Sequence, residues 1–248
     1  MKITAYQTNI VTSGSHDLCA LLDAALPALV ERSVVAVAAK IVSFCEGRVA
    51  PLDMPKDELV KRESERYLPS TASTYGVSFA IRNGLLVPAA GIDESNADNH
   101  YVLWPEDIQA SANRLREHFV RRHGLRQVGV IITDSNVQPL QWGTTGIALA
   151  ASGFMQLKDY AGQHDLFGQP MQFQQASIAN GLAAAAVVVM GEGSEQTPVA
   201  VIEDVPFVQF QEHAPTDAEL AALRIAPVDD LYWPLLQHAP WQPGDRLG

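Results

Sequence analysis

Apolar residues recur at helical spacing from residue 17 to about residue 30, behind a Ser13-Gly14-Ser15 segment that offers a serine cap, and this predicts a first helix that Pro27 kinks or ends. Residues 34–42 are near-continuous Val and Ala, the pattern of a strand buried on both faces, and they empty into the turn Ser43-Phe44-Cys45-Glu46-Gly47-Arg48. Residues 56–68 are charged and helical in spacing. Residues 77–88 form a hairpin pattern around Asn83-Gly84, a strong short-range turn signal. Pro105-Glu106-Asp107 opens a helix that Gly124 closes after a run of Arg and His.

A strand over residues 128–133 follows and delivers Asp134, and Gly143-Thr144-Thr145-Gly146 starts another over 147–151. Residues 153–170 read as irregular. An Ala-rich helix over 176–190, with Gly181 inside it, ends at Gly191-Glu192-Gly193-Ser194, and residues 198–205 form a last strand. Beyond Pro206 the composition shifts to Pro, Gln, Trp and His, with one short helix near 217–223. The expected organisation is therefore a body of residues 1–205 and a tail, 206–248, packed on that body or on a partner subunit. Strands, hairpins and helices interleave irregularly, which predicts an α+β protein with a mixed sheet rather than a barrel.

The chain has 248 residues, 47% of them hydrophobic, enough for one large domain or two small ones. Its net charge of -11 opposes nucleic acid and anionic membranes as partners, whereas a small nucleotide remains compatible if a divalent metal reverses the local field. Two cysteines make no disulfide framework. The polar N-terminus lacks a signal-peptide core, and the longest apolar run, 182–190, is too short to span a bilayer, so a cytoplasmic location is expected.

Candidate chemistry lies where apolar extended segments give way to oxygen-rich turns, at Ala90-Gly91-Ile92-Asp93-Glu94-Ser95-Asn96 and at Val130-Ile131-Ile132-Thr133-Asp134-Ser135. Carboxylates on separate strand ends suit Mg²⁺ or Mn²⁺, although each segment alone is equally ordinary cap chemistry. His164 beside Asp165 has the form of an acid/base pair or of a structural loop histidine. No Gly-x-Gly-x-x-Gly or phosphate-binding Gly-Lys-Ser/Thr loop occurs, which excludes the common dinucleotide and P-loop designs.

Five motifs in order, Ala39-Lys40-Ile41-Val42-Ser43 with Glu46-Gly47-Arg48, the Asp93 segment, Leu103-Trp104-Pro105-Glu106-Asp107 with Ser111-Ala112, Val130 to Ser135, and Val189-Met190-Gly191, resemble the coenzyme F420-0:L-glutamate ligase family. The resemblance is closest to a divergent bacterial branch of folate-metabolism gamma-glutamate ligases, and runs from about Lys2 to Val205. It implies an α+β, interlocked homodimer that uses GTP or ATP and divalent metal to add L-glutamate to a cofactor's glutamyl tail or carboxylate, of folate or F420-0 type. By the same resemblance, metal falls to Asp93, Asp134, Ser135 and Glu192. Nucleotide falls to Thr8, Asn9, Ile10, Val11, Ala39, Lys40, Asn96, Met190, Gly191, Gly193 and Ser194.

The chain departs from the family's pattern at three cationic positions, taken here by Phe44, Gln138 and Gln141, with Lys40, Arg48 and Lys158 as candidate replacements. A charge-assisted hydrogen bond contributes roughly 1.5 to 3 kcal/mol, so the substitutions bear on triphosphate chemistry and favour a less charged, folate-type acceptor. The alternative they raise is a non-catalytic nucleotide- and metal-binding protein that keeps the fold.

Overall fold

The computed structural model describes residues 1–14 and 16–246. A first strand, β1 (Lys2–Tyr6), precedes α1 (Leu18–Ala25), which Asp17 caps by accepting from the Ala20 N–H at 2.8 Å. Asp17 is thus the observed cap, while Ser15 lies outside the described residues. Helix α1 ends at the extended Leu26, since a residue before proline is pushed out of the helical region.

The apolar run after it is split. Strand β2 (Ser33–Ala38) turns directly into helix α2 (Ala39–Cys45), correcting the single strand expected over 34–42. A buried strand and a buried helical turn have the same composition, so the run itself could not separate them. Tertiary placement decides: as a helix, the second half carries Lys40 out of the core to a half-buried position.

Short strand β3 (Val49–Pro51) leads to α3 (Lys56–Glu63), which stops well before the expected residue 68 because β4 (Arg66–Leu68) is taken into a sheet. The hairpin of β5 (Phe79–Arg82) and β6 (Leu85–Pro88) turns at Asn83-Gly84 as expected. Strand β7 (His100–Val102) precedes α4 (Ile108–His123), capped by Asp107 at its start and by left-handed Gly124 at its end.

Strand β8 (Val128–Val137) continues past Thr133, so Asp134 sits within a strand rather than beyond its end. Its partner β9 (Thr144–Ser152) extends the pairing, with a register shift between Ile132 and Thr133 that leaves Leu149 as the extra residue. The segment read as irregular contains β10 (Leu157–Asp159), paired with β11 (Gln175–Ser177), and a His164–Pro170 bridge. Helix α5 (Ile178–Met190) begins behind the Ser177 cap, and β12 (Val199–Glu203) follows. The tail holds α6 (Asp217–Ala222), α7 (Trp233–Leu236) and β13 (Gln242–Pro243), so β12 is not the last strand.

The main sheet runs β1-β12-β2-β8-β9, with only β2 and β8 parallel. Alternating residues divide its core: Val35, Val37, Val130 and Ile132 pack toward α1, α2 and α4, whereas Val34, Ala36 and Ile131 pack toward α5. A second, antiparallel sheet runs β13-β4-β5-β6, and its edge strand is the C-terminal segment, Gln242 opposite Tyr67. Among the described residues, no helix is long and apolar enough to cross a membrane.

Candidate functional site

A cavity of about 800 Å³ opens where the β2–α2 turn, the Asp93 loop, the middle of β8 and the end of α5 meet. Its size is that of a small-molecule site. All fifteen residues expected at a site line it: Asp93, Asp134, Ser135 and Glu192; Thr8, Asn9, Ile10 and Val11; Ala39, Lys40 and Asn96; and Met190, Gly191, Gly193 and Ser194.

Asp93 arrives through an unusual backbone. Ala89, Ala90 and Gly91 all have positive φ, at 46°, 52° and 71°, and this left-handed run reverses the chain into Asp93. The backbone of Asp93 then pairs with Val102 in both directions. Its carboxylate accepts from the Ser95 N–H at 2.8 Å and the Ser95 hydroxyl at 2.9 Å, and Lys40 Nζ stands 2.6 Å away. Burial pushes the Asp93 carboxyl up, but Lys40 and Ser95 outweigh that and hold it below the usual range.

Asp134 faces the same space from β8. Trp104 Nε1 donates to its Oδ2 at 2.5 Å, and the Ser135 N–H donates to Oδ1 at 2.9 Å. These bonds favour the charged form, yet burial dominates and raises the Asp134 carboxyl to about 6. Asp93 adds to the rise, which places the two acids in one electrostatic field.

The loop after α5 closes the third side. Ser135 Oγ donates to Glu192 at 2.7 Å and Thr144 Oγ1 to the same oxygen at 3.1 Å, so Glu192 is fixed to the β8–β9 pair. Asn96 Nδ2 donates to the Gly193 carbonyl at 3.1 Å, tying the Asp93 loop to this one. Gln196 fastens the N-terminal loop by donating to the Thr8 carbonyl at 2.7 Å.

The donor set is all oxygen, as hard divalent cations require. Among the described residues, no three His, Cys, Asp or Glu side chains converge as a ready-made metal cage. A site of two acids with a hydroxyl nearby fits Mg²⁺ or Mn²⁺ in the form that completes its shell with water and phosphate.

Other expected positions lie elsewhere. Phe44 does line the cavity, but Gln138 and Gln141 sit at the exposed β8–β9 tip, away from it. Of the three candidate replacement cations only Lys40 reaches the cavity. Arg48 pairs with Glu63 at 2.8 Å and Glu106 at 3.0 Å, and Lys158 lies over the Tyr160 ring. His164 bridges Pro170, and Asp165 accepts from the Phe167 and Gln169 N–H groups at 2.8 Å each, which is turn chemistry.

Trp104 and Lys56 are among the lining residues to which the sequence assigned no role. Lys56 pairs with Glu94 at 3.6 Å, and Glu195 accepts from the Gly193 N–H at 2.8 Å. Two signals were present. A lysine opening a helix opposes the helix dipole, and a tryptophan buried in a loop must find an acceptor for its N–H.

Residues 7–204 match the family model described as F420-0:Gamma-glutamyl ligase. The coenzyme F420:L-glutamate ligase of Methanopyrus kandleri is 35% identical over 195 residues, covering 70% of this chain and 75% of its own length. That of Methanococcus maripaludis is 30% identical over 228 residues, covering 86% of this chain and 91% of its own length. The Methanocaldococcus jannaschii protein of the same name is 39% identical over 137 residues, or 53% of this chain and 55% of its own length.

Proposed function

The chain belongs to the F420-0:gamma-glutamyl ligase family, and from that premise we propose that it joins the amine of L-glutamate to a carboxylate at the end of a cofactor, driven by a nucleoside triphosphate. The observation that carries this reading is the meeting of Asp93, Asp134, Lys40 and the Gly191–Ser194 loop in one nucleotide-sized cavity. The γ-phosphoryl group passes to a carboxylate oxygen of the acceptor, giving an acyl phosphate and a nucleoside diphosphate. The glutamate nitrogen then attacks the acyl carbon, the C–O bond to phosphate breaks, and the amine loses a proton.

The protein's part is mainly positioning and charge balance. Asp93 and Asp134 with the Ser135 hydroxyl would hold Mg²⁺ or Mn²⁺, to neutralise phosphate oxygens, and Glu192, bonded to Ser135 at 2.7 Å, would have to move in to join them as a ligand. Lys40 supplies a further cation, and Asn96, the Thr8–Val11 loop and the Met190–Ser194 loop frame the nucleotide. The unit is a homodimer in this reading, since Leu140, Trp142, Leu166, Phe167 and Phe173 are each at least 88% exposed. A cytoplasmic setting belongs to the same reading and agrees with two free cysteines.

The acceptor divides two versions. The relatives' names point to a coenzyme F420 acceptor, whereas Phe44 in the cavity wall, where the family carries a cation, favours a less charged, folate-type one. Incubation with GTP or ATP, Mn²⁺ and L-glutamate against both acceptors, read by mass spectrometry, decides between them. Extension of neither acceptor with no phosphate released, alongside retained nucleotide binding, would replace the ligase by a binding protein.

A further inference from the structure

We propose that Arg82 is a positioning residue for both acids: its buried guanidinium supports the backbone run that leads into Asp93 and the Trp104 indole that donates to Asp134, and the C-terminal segment locks it through Arg246. The inference rests on the reading of Asp93 and Asp134 as the working acids.

Arg82 is the largest fully buried side chain among the described residues, at 0% exposure, on the strand β5 that precedes the Asp93 segment. Its Nη1 donates to the Ala90 carbonyl at 2.9 Å, in the middle of the left-handed run before Asp93. The Trp104 indole lies over its guanidinium carbon, 4.9 Å from the ring centroid, and the opposite obligation of that indole is the 2.5 Å bond to Asp134. Gly91 lets this happen, because a Cβ there would lie 2.2 Å from Trp104 Cε2. One cation therefore touches the supports of two carboxylates, one in the loop after the left-handed run and the other on β8 of the main sheet.

Arg82 is held in turn. Glu63 Oε2 stands 2.8 Å from Arg82, 2.8 Å from Arg48 and 3.0 Å from Arg246, and Glu106 takes Arg48 and Arg246 at 3.0 Å each. Three guanidinium groups thus share two carboxylates. Burial pulls Arg82 down to about 10, which leaves it protonated at neutral pH. Arg48 also donates to the Trp104 carbonyl at 3.0 Å, so the cluster grips that residue by backbone and ring. The last partner comes from the chain's end, where the Gly244 N–H bonds the Glu65 carbonyl at 2.9 Å and seats Arg246 between the two glutamates.

The chain has four tryptophans, so an indole N–H spectrum holds four resonances, and Trp104→Phe identifies the one in question. Arg82→Lys and Arg246→Ala should each move that resonance while leaving the other three in place, and should weaken Mn²⁺ binding three- to tenfold. In the Trp104→Phe background, Arg246→Ala should cost clearly less Mn²⁺ affinity than it does alone, because the part of its effect that passes through the indole is already gone and only the Ala90 route to Asp93 remains. Fully additive losses, or an unmoved Trp104 resonance in Arg246→Ala, would overturn the proposal. Should Arg82→Lys fail to fold, Arg246→Ala still decides, since its side chain is 24% exposed and at the cluster's edge. Indifference of Mn²⁺ affinity to Asp134→Asn would instead remove the metal reading, and the indole resonance alone would then judge Arg82.

Discussion

The ammonium of Lys40 stands 2.6 Å from Oδ2 of Asp93, and the same nitrogen donates to the Ser95 carbonyl at 2.8 Å. Lys40 is a resident counter-ion on an acid proposed to bind metal. Any cation entering beside Asp93 has to displace it or share the carboxylate with it.

Lys40→Met should accordingly act in opposite directions on two ligands. Without nucleotide, calorimetry should show Mn²⁺ binding tightened about three- to tenfold, on the order of 1 kcal/mol. Triphosphate affinity should fall, because a cation facing the phosphates is gone. Weaker Mn²⁺ binding in this variant would reject the counter-ion role.

Asp134 sets a pH dependence whose sign is unusual for a carboxylate. Its folded value of about 6 exceeds the ordinary 3.8, so between those values the native state holds a proton that the unfolded chain releases. Stability from this group is complete below pH 4 and declines as pH rises toward 6, by up to about 3 kcal/mol at roughly 1.4 kcal/mol per unit. Asp134→Asn should match the metal-free wild type near pH 4 and melt on the order of 5 to 10 °C higher at pH 7.5. Equal melting points at both pH values would contradict the shift.

Gly91→Ala places a methyl group inside the Trp104 ring at a φ of +71° that alanine tolerates poorly. Left-handed strain and overpacking together should cost about 2 to 5 kcal/mol. The melting temperature should drop on the order of 5 to 15 °C, with Mn²⁺ affinity falling alongside it. A variant of wild-type stability would show that Trp104 has room to move.

The exposed tips of the β8–β9 and β10–β11 arms should be covered in solution. Leu140 is 106% exposed and Trp142 94%. Light scattering should report twice the 26.9 kDa chain mass, and Leu140→Asp with Trp142→Asp should shift the population to monomer. A monomeric parent protein at micromolar concentration would defeat the homodimer.

The hairpin at Asn83-Gly84 and the helix between Asp107 and Gly124 were legible because local turn and cap chemistry determines them. The passage from β2 to α2 was not, since Val-Ala runs satisfy a buried strand and a buried helix alike. Lys56–Leu68 failed for a related reason: helical charge spacing continues through Arg66, but pairing with β5 takes that segment into a sheet. At the site, the residues expected from the family resemblance all line one cavity. The roles of Trp104 and Arg82 were not legible, because they rest on side-chain contacts, Trp104 with Asp134 and Arg82 with Ala90 and the Trp104 ring, that spacing along the chain does not specify.

The extra residue at Leu149 makes the site sensitive to chain length in whole steps. Up to Ile132 the pairing of β8 with β9 follows one count, and beyond it another, and it is in this second count that Ser135 and Thr144 both reach Glu192. Removing one residue from β9 would turn the side chains of one arm through half a turn, because a strand presents alternate faces. A single insertion or deletion along this stretch would therefore disturb the Ser135–Thr144–Glu192 contacts where a substitution at an outward position would not.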